Sequence, residues 1–326
     1  ILWGQMKSER SSFDSHWRDL SDFILPRRAQ FSLSDTNRGD KKNQNIVDST
    51  ATFSLRTLKS GLVSGITSPA RPWFNLNLED KDLLEFGPVK TWLSTCTALM
   101  GNAYRKTNFY QVAPIVYGDL GCFGTGAYFV DEDFDRVARF YSMPIGSYCI
   151  ANDAKLRVRI FAREMMMTVR QIVEKFGYNE LTNEIVWDNI SEFVKRQWDL
   201  GNYETWVQVR HIVQPNINFD PRKLESKYKR YVSIYYEPGG IGSDNYISTN
   251  DAEVYLSEKG YDYFPVLAPR WELTGFDVYG TDCPGMTALG DVKALQKMQR
   301  RKAEAIEKMV RPPMVGSASL KNQKAT

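Results

Sequence analysis

The spacing of apolar residues changes twice along this chain of 326 residues, and the order of those changes limits its fold. Apolar side chains recur every three or four residues in several stretches of residues 13–120, which predicts amphipathic helices. Short runs rich in Val, Ile, Tyr and Phe then dominate residues 127–267, which predicts strands. Helical spacing returns over residues 287–310, just before a pair of prolines that cannot continue a helix. We therefore predict an α+β protein with helices first, two β-rich inserts and a long last helix.

Local sequence signals mark the ends of several elements. Asp48 has the side chain of an N-cap, and Pro88 suits the first turn of the helix that it opens. Thr168 and Gln171 have the spacing of a capping box, in which each side chain bonds to the backbone of the other residue. A further helix is predicted over residues 183–199, where apolar residues again recur at helical intervals.

The charged residues nearly balance, with 42 Lys and Arg against 39 Asp and Glu, which gives a net charge of +3. No uncharged apolar run reaches the ~18 residues of a membrane-spanning helix, so no membrane partner is predicted. The two histidines and four cysteines match no zinc-binding spacing, so neither a metal nor a cofactor is predicted. Because a chain of this length can bury its own core, we expect the four thiols to be reduced and mostly buried.

A cluster of glycines between Gly118 and Gly126 is the motif most open to a functional interpretation. A phosphate-binding loop requires a Lys-Ser or Lys-Thr pair on a following helix, whereas a strand-like run from Ala127 follows here. A dinucleotide-binding fingerprint requires a strand before the glycines, and here a predicted helix precedes them. We interpret the cluster as a tight helix-to-strand turn, in which glycine allows a positive φ and close packing.

Residues able to carry catalysis are present but form no recognised constellation. His16 lies in a predicted helix and His211 in a predicted strand, and neither is near a nucleophile motif. The acidic run at residues 131–135 could bind a cation or act as an acid/base pair, although contiguous acids between strands usually form a solvated turn. The chain is therefore predicted not to be an enzyme.

The last predicted helix is basic and amphipathic. Its apolar stripe begins at Leu289 and continues to Met309, and cations occupy much of the remaining surface. These cations are Lys293, Lys297, Arg300, Arg301, Lys302 and Lys308. Such a helix can be a solvated face, or it can attract a phosphate backbone without reading bases. The aromatic content of 13% also allows two interpretations, an ordinary β core or extensive protein interfaces.

Specific strings of residues lie in one order along almost the whole chain. The most specific is Gly-Ile-Thr-Ser-Pro-Ala-Arg-Pro-Trp-Phe at residues 65–74. Further strings lie at residues 17–26, 48–52, 58–64, 117–126, 269–271 and 279–313. Together they resemble the head-to-tail connector (portal) proteins of short-tailed double-stranded-DNA bacteriophages. The motif residues assigned a structural role are Asp48, Pro69, Arg71, Pro72, Trp73, Phe74, Gly121, Gly124 and Gly126.

This resemblance implies a structural function. Portal subunits form a ring, usually a dodecamer, at one capsid vertex, and genomic double-stranded DNA passes through its axis during packaging and ejection. The implied partners are further copies of the chain, the DNA, the terminase large subunit, tail adaptor proteins, and capsid and scaffolding proteins. The implied location is the virion, after assembly in the host cytoplasm, and no cofactor is implied.

The resemblance also divides the chain into regions. Residues 1–180 correspond to a wing, residues 181–204 to a candidate first stem helix, and residues 205–278 to a β-rich clip. Residues 279–311 correspond to the second stem helix, and residues 312–326 to the start of a tunnel loop. The residues expected to face the channel are Lys293, Lys297, Arg300, Arg301 and Lys308 on the helix, and Ser317, Ser319 and Lys321 in the loop.

Two further expectations follow. Family members are longer and continue into a helical crown that is not present in this chain, and the chain begins with Ile1, so we expect it to be a piece of a longer protein. The alternative function is a DNA-binding or nucleic-acid-processing protein that uses the basic helix at residues 287–310.

Overall fold

The computed structural model describes residues 2–33, 39–179, 182, 184–238 and 255–312. Its helices are α1 (Leu2–Phe23), α2 (Thr50–Ile66), α3 (Lys81–Glu85), α4 (Gly87–Lys106), α5 (Phe109–Phe123), α6 (Val169–Ile172), α7 (Glu192–Asp199) and α8 (Pro284–Val310). Its strands are β1 (Ala127–Asp133), β2 (Val137–Met143), β3 (Tyr148–Asn152), β4 (Val158–Thr168), β5 (Tyr178–Asn179), β6 (Glu184–Ile185), β7 (Trp206–Pro215), β8 (Tyr231–Tyr236), β9 (Ser257–Tyr261) and β10 (Val266–Leu267). The predicted α+β class is confirmed.

Most of the local predictions are confirmed. Pro88 lies in the first turn of α4. The capping box opens α6, because the Thr168 hydroxyl accepts a bond from the Gln171 backbone and the Gln171 side chain accepts one from the Thr168 backbone. A short π-helical turn, Val173–Gly177, continues α6. Within the described ranges, no helix combines the length and the apolar character needed to span a bilayer.

The helix predicted over residues 183–199 is wrong in its first half. Glu184 and Ile185 form β6, which pairs with β5, and α7 begins only after Ser191. The Ser191 hydroxyl accepts a bond from the backbone N–H of Val194 and so caps the shorter helix. Ile190 and Val194 are buried in one cluster, although only Val194 is helical. Ile190 lies in a turn, where its N–H bonds to the Trp187 carbonyl, and this turn places it as the apolar spacing of a longer helix would.

The two β-rich inserts share one antiparallel sheet. Its strand order is β3-β4-β7-β8-β9, and a second sheet has the order β10-β1-β2. β4 and β7 pair from Phe161 opposite Val213 to Thr168 opposite Trp206. The residues that connect these two strands include 181–204, which the resemblance assigned to a stem helix. The sheet therefore joins residues 1–180 to residues 205–278, and the division into wing and clip stays a prediction.

The main core joins the N-terminal helix to both sheets and to the segment that precedes α8. Trp17 of α1 is fully buried, and its indole N–H donates to the carbonyl of Phe123 at 3.1 Å. Tyr279 packs edge-on against Trp17, and its hydroxyl accepts a bond from the backbone N–H of Ile150. Three distant parts of the sequence thus meet at one aromatic cluster, which fixes where α8 begins.

His211 links this core to a second one built around α6 and α7. Its imidazole stacks on Tyr235 with 3.9 Å between ring centroids, and Arg163 donates to Nδ1 at 3.2 Å. Because a guanidinium only donates, Nδ1 is the acceptor and Nε2 carries the proton that faces the Ser233 hydroxyl at 2.9 Å. Burial and the nearby Arg163 lower the pKa of His211 well below its usual value. His211 is therefore a packed histidine, and His16 is exposed on α1.

This burial predicts a pH-dependent stability. The unfolded chain takes up a proton at His211 below pH ~6.5, whereas the folded chain does not. The free energy of unfolding should therefore fall with decreasing pH below that value, by up to about 1.4 kcal/mol per pH unit. Urea unfolding from pH 7 to pH 5 measures this slope. His211→Gln should flatten this slope, and His16→Gln should preserve it. An unchanged slope in His211→Gln would contradict the burial of His211 in its neutral form.

The glycine cluster forms the predicted helix-to-strand turn and also seats α8. Gly124 ends α5 with a φ of 73°, and its carbonyl accepts a bond from the backbone N–H of Trp271 at 2.8 Å. A Cβ on Gly280 would lie 2.1 Å from the Gly124 carbonyl oxygen, and a Cβ on Gly285 would lie 2.6 Å from that of Cys122. Backbone packs directly on backbone at this junction, so a side chain at either position would move α8.

Two glycines of α8 predict opposite effects of one substitution. Gly285→Ala should destabilise the fold by about 1–3 kcal/mol, because the new methyl group overlaps the Cys122 backbone. A Cβ at Gly290 would meet no atom within 4 Å. Gly290→Ala should therefore stabilise the fold by up to about 1 kcal/mol, because alanine favours a helix. Denaturant unfolding of the two variants tests this difference. Equal effects would show that the junction is not closely packed.

Candidate functional site

α8 has a seated half and a projecting half. It is 27 residues long, which corresponds to about 40 Å. Leu289, Val292 and Gln296 are buried in the first half. In residues 297–310, which we call the projecting half, every residue except the partly buried Gln299 is exposed. The sequence pattern predicted the helix but not this division.

Gln296 holds the middle of α8 against the start of α2. Its side-chain oxygen accepts bonds from the backbone N–H groups of Val47 and Asp48, at 2.7 and 2.8 Å. Its side-chain nitrogen donates to the Asp48 carbonyl at 2.7 Å. Sequence analysis missed this residue. Its signal is a lone polar residue four positions after Val292, in an otherwise apolar stripe.

Asp48 serves both helices that meet at Gln296. Its carboxylate accepts a bond from the backbone N–H of Thr50 at 2.8 Å and one from the side chain of Gln299 at 3.3 Å. These bonds, above all those with Thr50, hold the pKa of the Asp48 carboxyl below its usual value. Asp48 is therefore ionised at neutral pH near the positive end of α2. The N-cap predicted at Asp48 is wrong by one residue, because Ser49 occupies that position and its side chain makes no capping bond.

The structure divides the cations that the sequence assigned to the channel. The Lys293 ammonium lies 2.6 Å from the Asp19 carboxylate and 5.4 Å from the centre of the Phe23 ring. The Arg300 guanidinium donates to the carbonyl of Asn45 at 3.4 Å. Both side chains contact their own subunit.

The other predicted cations form an exposed stripe. Lys297, Arg301 and Lys308 are four and seven residues apart, a spacing that aligns them on one face of the projecting half. Glu304 lies on the same face and reduces its positive charge. Ser317, Ser319 and Lys321 lie outside the described residues.

A second face of the projecting half is mostly apolar and uncovered, with the exposed Lys302 between Met298 and Ile306. Met298, Ile306, Met309 and Val310 are between 51% and 81% exposed. Helices of this length are marginal in water when nothing packs against them. Within the described residues, nothing covers this stripe.

The Pro-Ala-Arg-Pro-Trp-Phe string forms an extended segment between α2 and α3. Trp73 stacks on Phe109 at 5.8 Å and donates its indole N–H to the Tyr110 hydroxyl at 3.2 Å. Arg71 donates to the carbonyl of Ser64 at 3.1 Å and is otherwise exposed. The exposed Pro69 and Pro72 keep this segment from continuing α2, and Phe74 packs edge-on against Trp73.

Two further glycines of the motif allow close packing. A Cβ on Gly121 would lie 2.9 Å from Leu58 of α2, and a Cβ on Gly126 would lie 2.9 Å from the side chain of Val116. Both therefore serve the contact of α5 with its neighbours. A phosphate-binding role has no support in this arrangement.

The one described pairing of a histidine with a hydroxyl, His211 with Ser233 at 2.9 Å, is buried away from solvent. No group of three His, Cys, Asp or Glu residues in the part of the chain that the structure describes could hold a metal ion. The four cysteines are free thiols. Burial raises the pKa of Cys149 to about 11 and that of Cys122 well above its usual value, so both stay protonated at neutral pH.

The whole chain, residues 1–326, matches the family described as bacteriophage head to tail connecting protein. The chain belongs to this family. This connector chain is 50% identical over 322 residues to the "Portal protein" of Salmonella phage epsilon15, which covers 99% of the chain and 54% of that relative. It is 41% identical over 321 residues to the "Probable portal protein" of Bordetella phage BPP-1, covering 98% of the chain and 54% of that relative.

These matches confirm the resemblance that the sequence motifs indicated. The connector chain spans about half the length of the curated relatives it matches.

The Gln296 contact predicts a specific loss of stability. Gln296→Met keeps the length of the side chain but removes its bonds to the backbone of Val47 and Asp48, so the connector chain should lose about 1–3 kcal/mol. Gln299→Met removes one long bond to Asp48 and should cost less than about 1 kcal/mol. Urea unfolding of both variants tests this order, and a larger loss in Gln299→Met would contradict it.

Proposed function

We propose that this chain is the subunit of a portal ring, a non-enzymatic structure at one capsid vertex through which double-stranded DNA is packaged and ejected. Family membership and the portal names of its relatives support the proposal. The observation from the fold that carries it is the projecting half of α8, which exposes one apolar and one basic face.

A ring gives the apolar face a partner. In a closed ring each subunit meets a neighbour through two different surfaces, and such contacts repeat until the ring closes. Met298, Ile306 and Met309 would pack against the α8 of a neighbour or the surface next to it. Burying such side chains contributes about 1.5–3 kcal/mol each, which would stabilise a helix that is marginal alone.

The same ring gives the basic face a role. Lys297, Arg301 and Lys308 would face the channel, whereas Lys293 and Arg300 would hold α8 to its own subunit. Because each phosphate contact adds affinity and salt dependence, a strongly basic lumen would retain DNA. The net charge of +3 and Glu304 on the basic face suit a channel through which DNA slides.

The regions follow the resemblance. α8 is the second stem helix within residues 279–311, and residues 312–326 begin the tunnel loop. Residues 1–180 form the wing and residues 205–278 the clip, joined by the pairing of β4 with β7. The first stem helix lies within residues 181–204, where α7 contributes eight residues.

The proposed partners follow the same assignment. The terminase large subunit would dock on the ring during packaging and would supply the ATP chemistry. Tail adaptor proteins would replace it afterwards, and capsid and scaffolding proteins would surround the ring. The ring would assemble in the host cytoplasm and remain in the virion.

The alternative, a DNA-binding or nucleic-acid-processing protein, has less support. It uses the cations of α8 but leaves the apolar face of the projecting half without a partner. The two histidines offer no catalytic pair, since His211 is buried and stacked on Tyr235.

Native mass spectrometry of the full-length protein tests the proposal. We expect a closed assembly of about a dozen subunits. Ile306→Ser combined with Met309→Ser should shift the mass toward the monomer, because it removes the apolar contact. Glu307→Ser, on the other side of the same turn, should leave the ring intact. A stable wild-type monomer that cleaves or modifies DNA would overturn the proposal.

A further inference from the structure

The hairpin of β1 and β2 ends in an acidic tip with an exposed aromatic ring. Its sequence is Asp131-Glu132-Asp133-Phe134-Asp135, and Phe134 is 96% exposed. The tip is ordered, because the Asp133 carboxylate accepts bonds from the backbone N–H groups of Asp135 and Arg136, at 2.9 and 3.3 Å. A large apolar side chain is thus held outward between Glu132 and Asp135, while Asp133 pairs with Arg139 and Arg136 completes the turn.

The backbone of the tip is strained. Val137, the first residue of β2, has a φ of 72°, which is unfavourable for a residue branched at Cβ. It is also 63% exposed, so the strained position gains little from packing in its own subunit. Strained backbone retained at an exposed position is typical of functional sites.

A groove of complementary chemistry lies between the extended segment 71–76 and α4. Its volume is about 420 Å³, which is within the range of ligand-binding pockets. Trp73, Phe74, Leu76 and Leu93 give it an apolar lining. Three cations also line it, namely Arg71, Lys90 and Arg105. Among the described residues that line it, none carries a carboxylate.

We propose that Phe134 of one subunit inserts into this groove of a second copy of the chain. The carboxylates of Glu132 and Asp135 then face the cations that line the groove, and the Phe134 ring lies against Trp73. Because hairpin and groove are different surfaces, the contact joins subunits head to tail, as a ring requires. The inference rests on the proposed portal ring and names one of its contacts.

The occupant is a second copy because both surfaces belong to this chain and the tip is free to extend beyond it. The base of the hairpin shares a cluster with Trp73, through Phe140 and Ala138, whereas Phe134 at the tip is not part of that cluster. β1 and β2 pair from Ala127 opposite Met143 to Asp133 opposite Val137, which holds the tip in place. Phe134 is uncovered in its own subunit. Opposite charges on tip and groove favour this pairing over the approach of two tips or two grooves.

Disulfide cross-linking in the full-length protein tests the contact directly. Asp135→Cys and Ser94→Cys would be made separately in a Cys96→Ser background, so that Phe134 stays intact and the partly exposed thiol of α4 is removed. After oxidation, an equal mixture of the two variants should give covalent dimers, and neither variant alone should. Replacing Ser94→Cys by Ser12→Cys, an exposed position on α1, is the matched control and should give none.

A charge exchange supplies a second measurement. Lys90→Glu with Arg105→Glu should lower cross-linking at least tenfold. Glu132→Lys with Asp135→Lys on the partner should restore it, and in that variant Arg136→Cys supplies the cysteine of the tip. Cross-linking that does not respond to the exchange would overturn the role of the charges and with it the proposal.

The outcomes separate this contact from the ring itself. A wild-type ring without cross-links between these positions overturns the hairpin contact and leaves the portal function standing. That result is expected if a later segment of a longer protein or another virion protein fills the groove. A wild-type monomer overturns the portal function instead.

Discussion

The direction of α8 is the constraint on which the other features depend. At its start, backbone lies directly on backbone, because a Cβ on Gly280 would overlap Gly124 and a Cβ on Gly285 would overlap Cys122 at the end of α5. At its middle, Gln296 bonds to the backbone that opens α2. Because the helix is held at both its start and its middle, these contacts set the direction of its remaining residues. The projecting half is therefore an ordered arm whose course is set in the seated half.

In the proposed portal ring, this arm would serve assembly. A helix with an uncovered apolar face contributes little to the stability of one subunit, and it becomes stable when a neighbour covers that face. In that arrangement the basic stripe would stay uncovered by the neighbour. Its moderate charge suits passage of a polyanion better than capture.

Local signals in the sequence predicted much of the fold. The helical stripes, the capping box at Thr168 and the glycine turn at Gly124 all depend on neighbouring residues, and all are present. Contacts between distant residues were not predictable in this way. The pairing of β4 with β7 is long-range, and Ser191 begins a shorter helix because a turn can also satisfy helical spacing. Gln296 was missed since nothing near it in sequence marks its partners, and the spacing of the cations could not tell Lys293 from its exposed neighbours.

An electron cryo-microscopy reconstruction of the full-length protein tests the central claim most directly. The account predicts a closed ring in which the projecting halves of α8 surround the axis. Met298, Ile306 and Met309 would lie at the contact between subunits, and Lys297, Arg301 and Lys308 would face the channel. A monomer, or a ring whose projecting halves lie free on its outer surface, would contradict it.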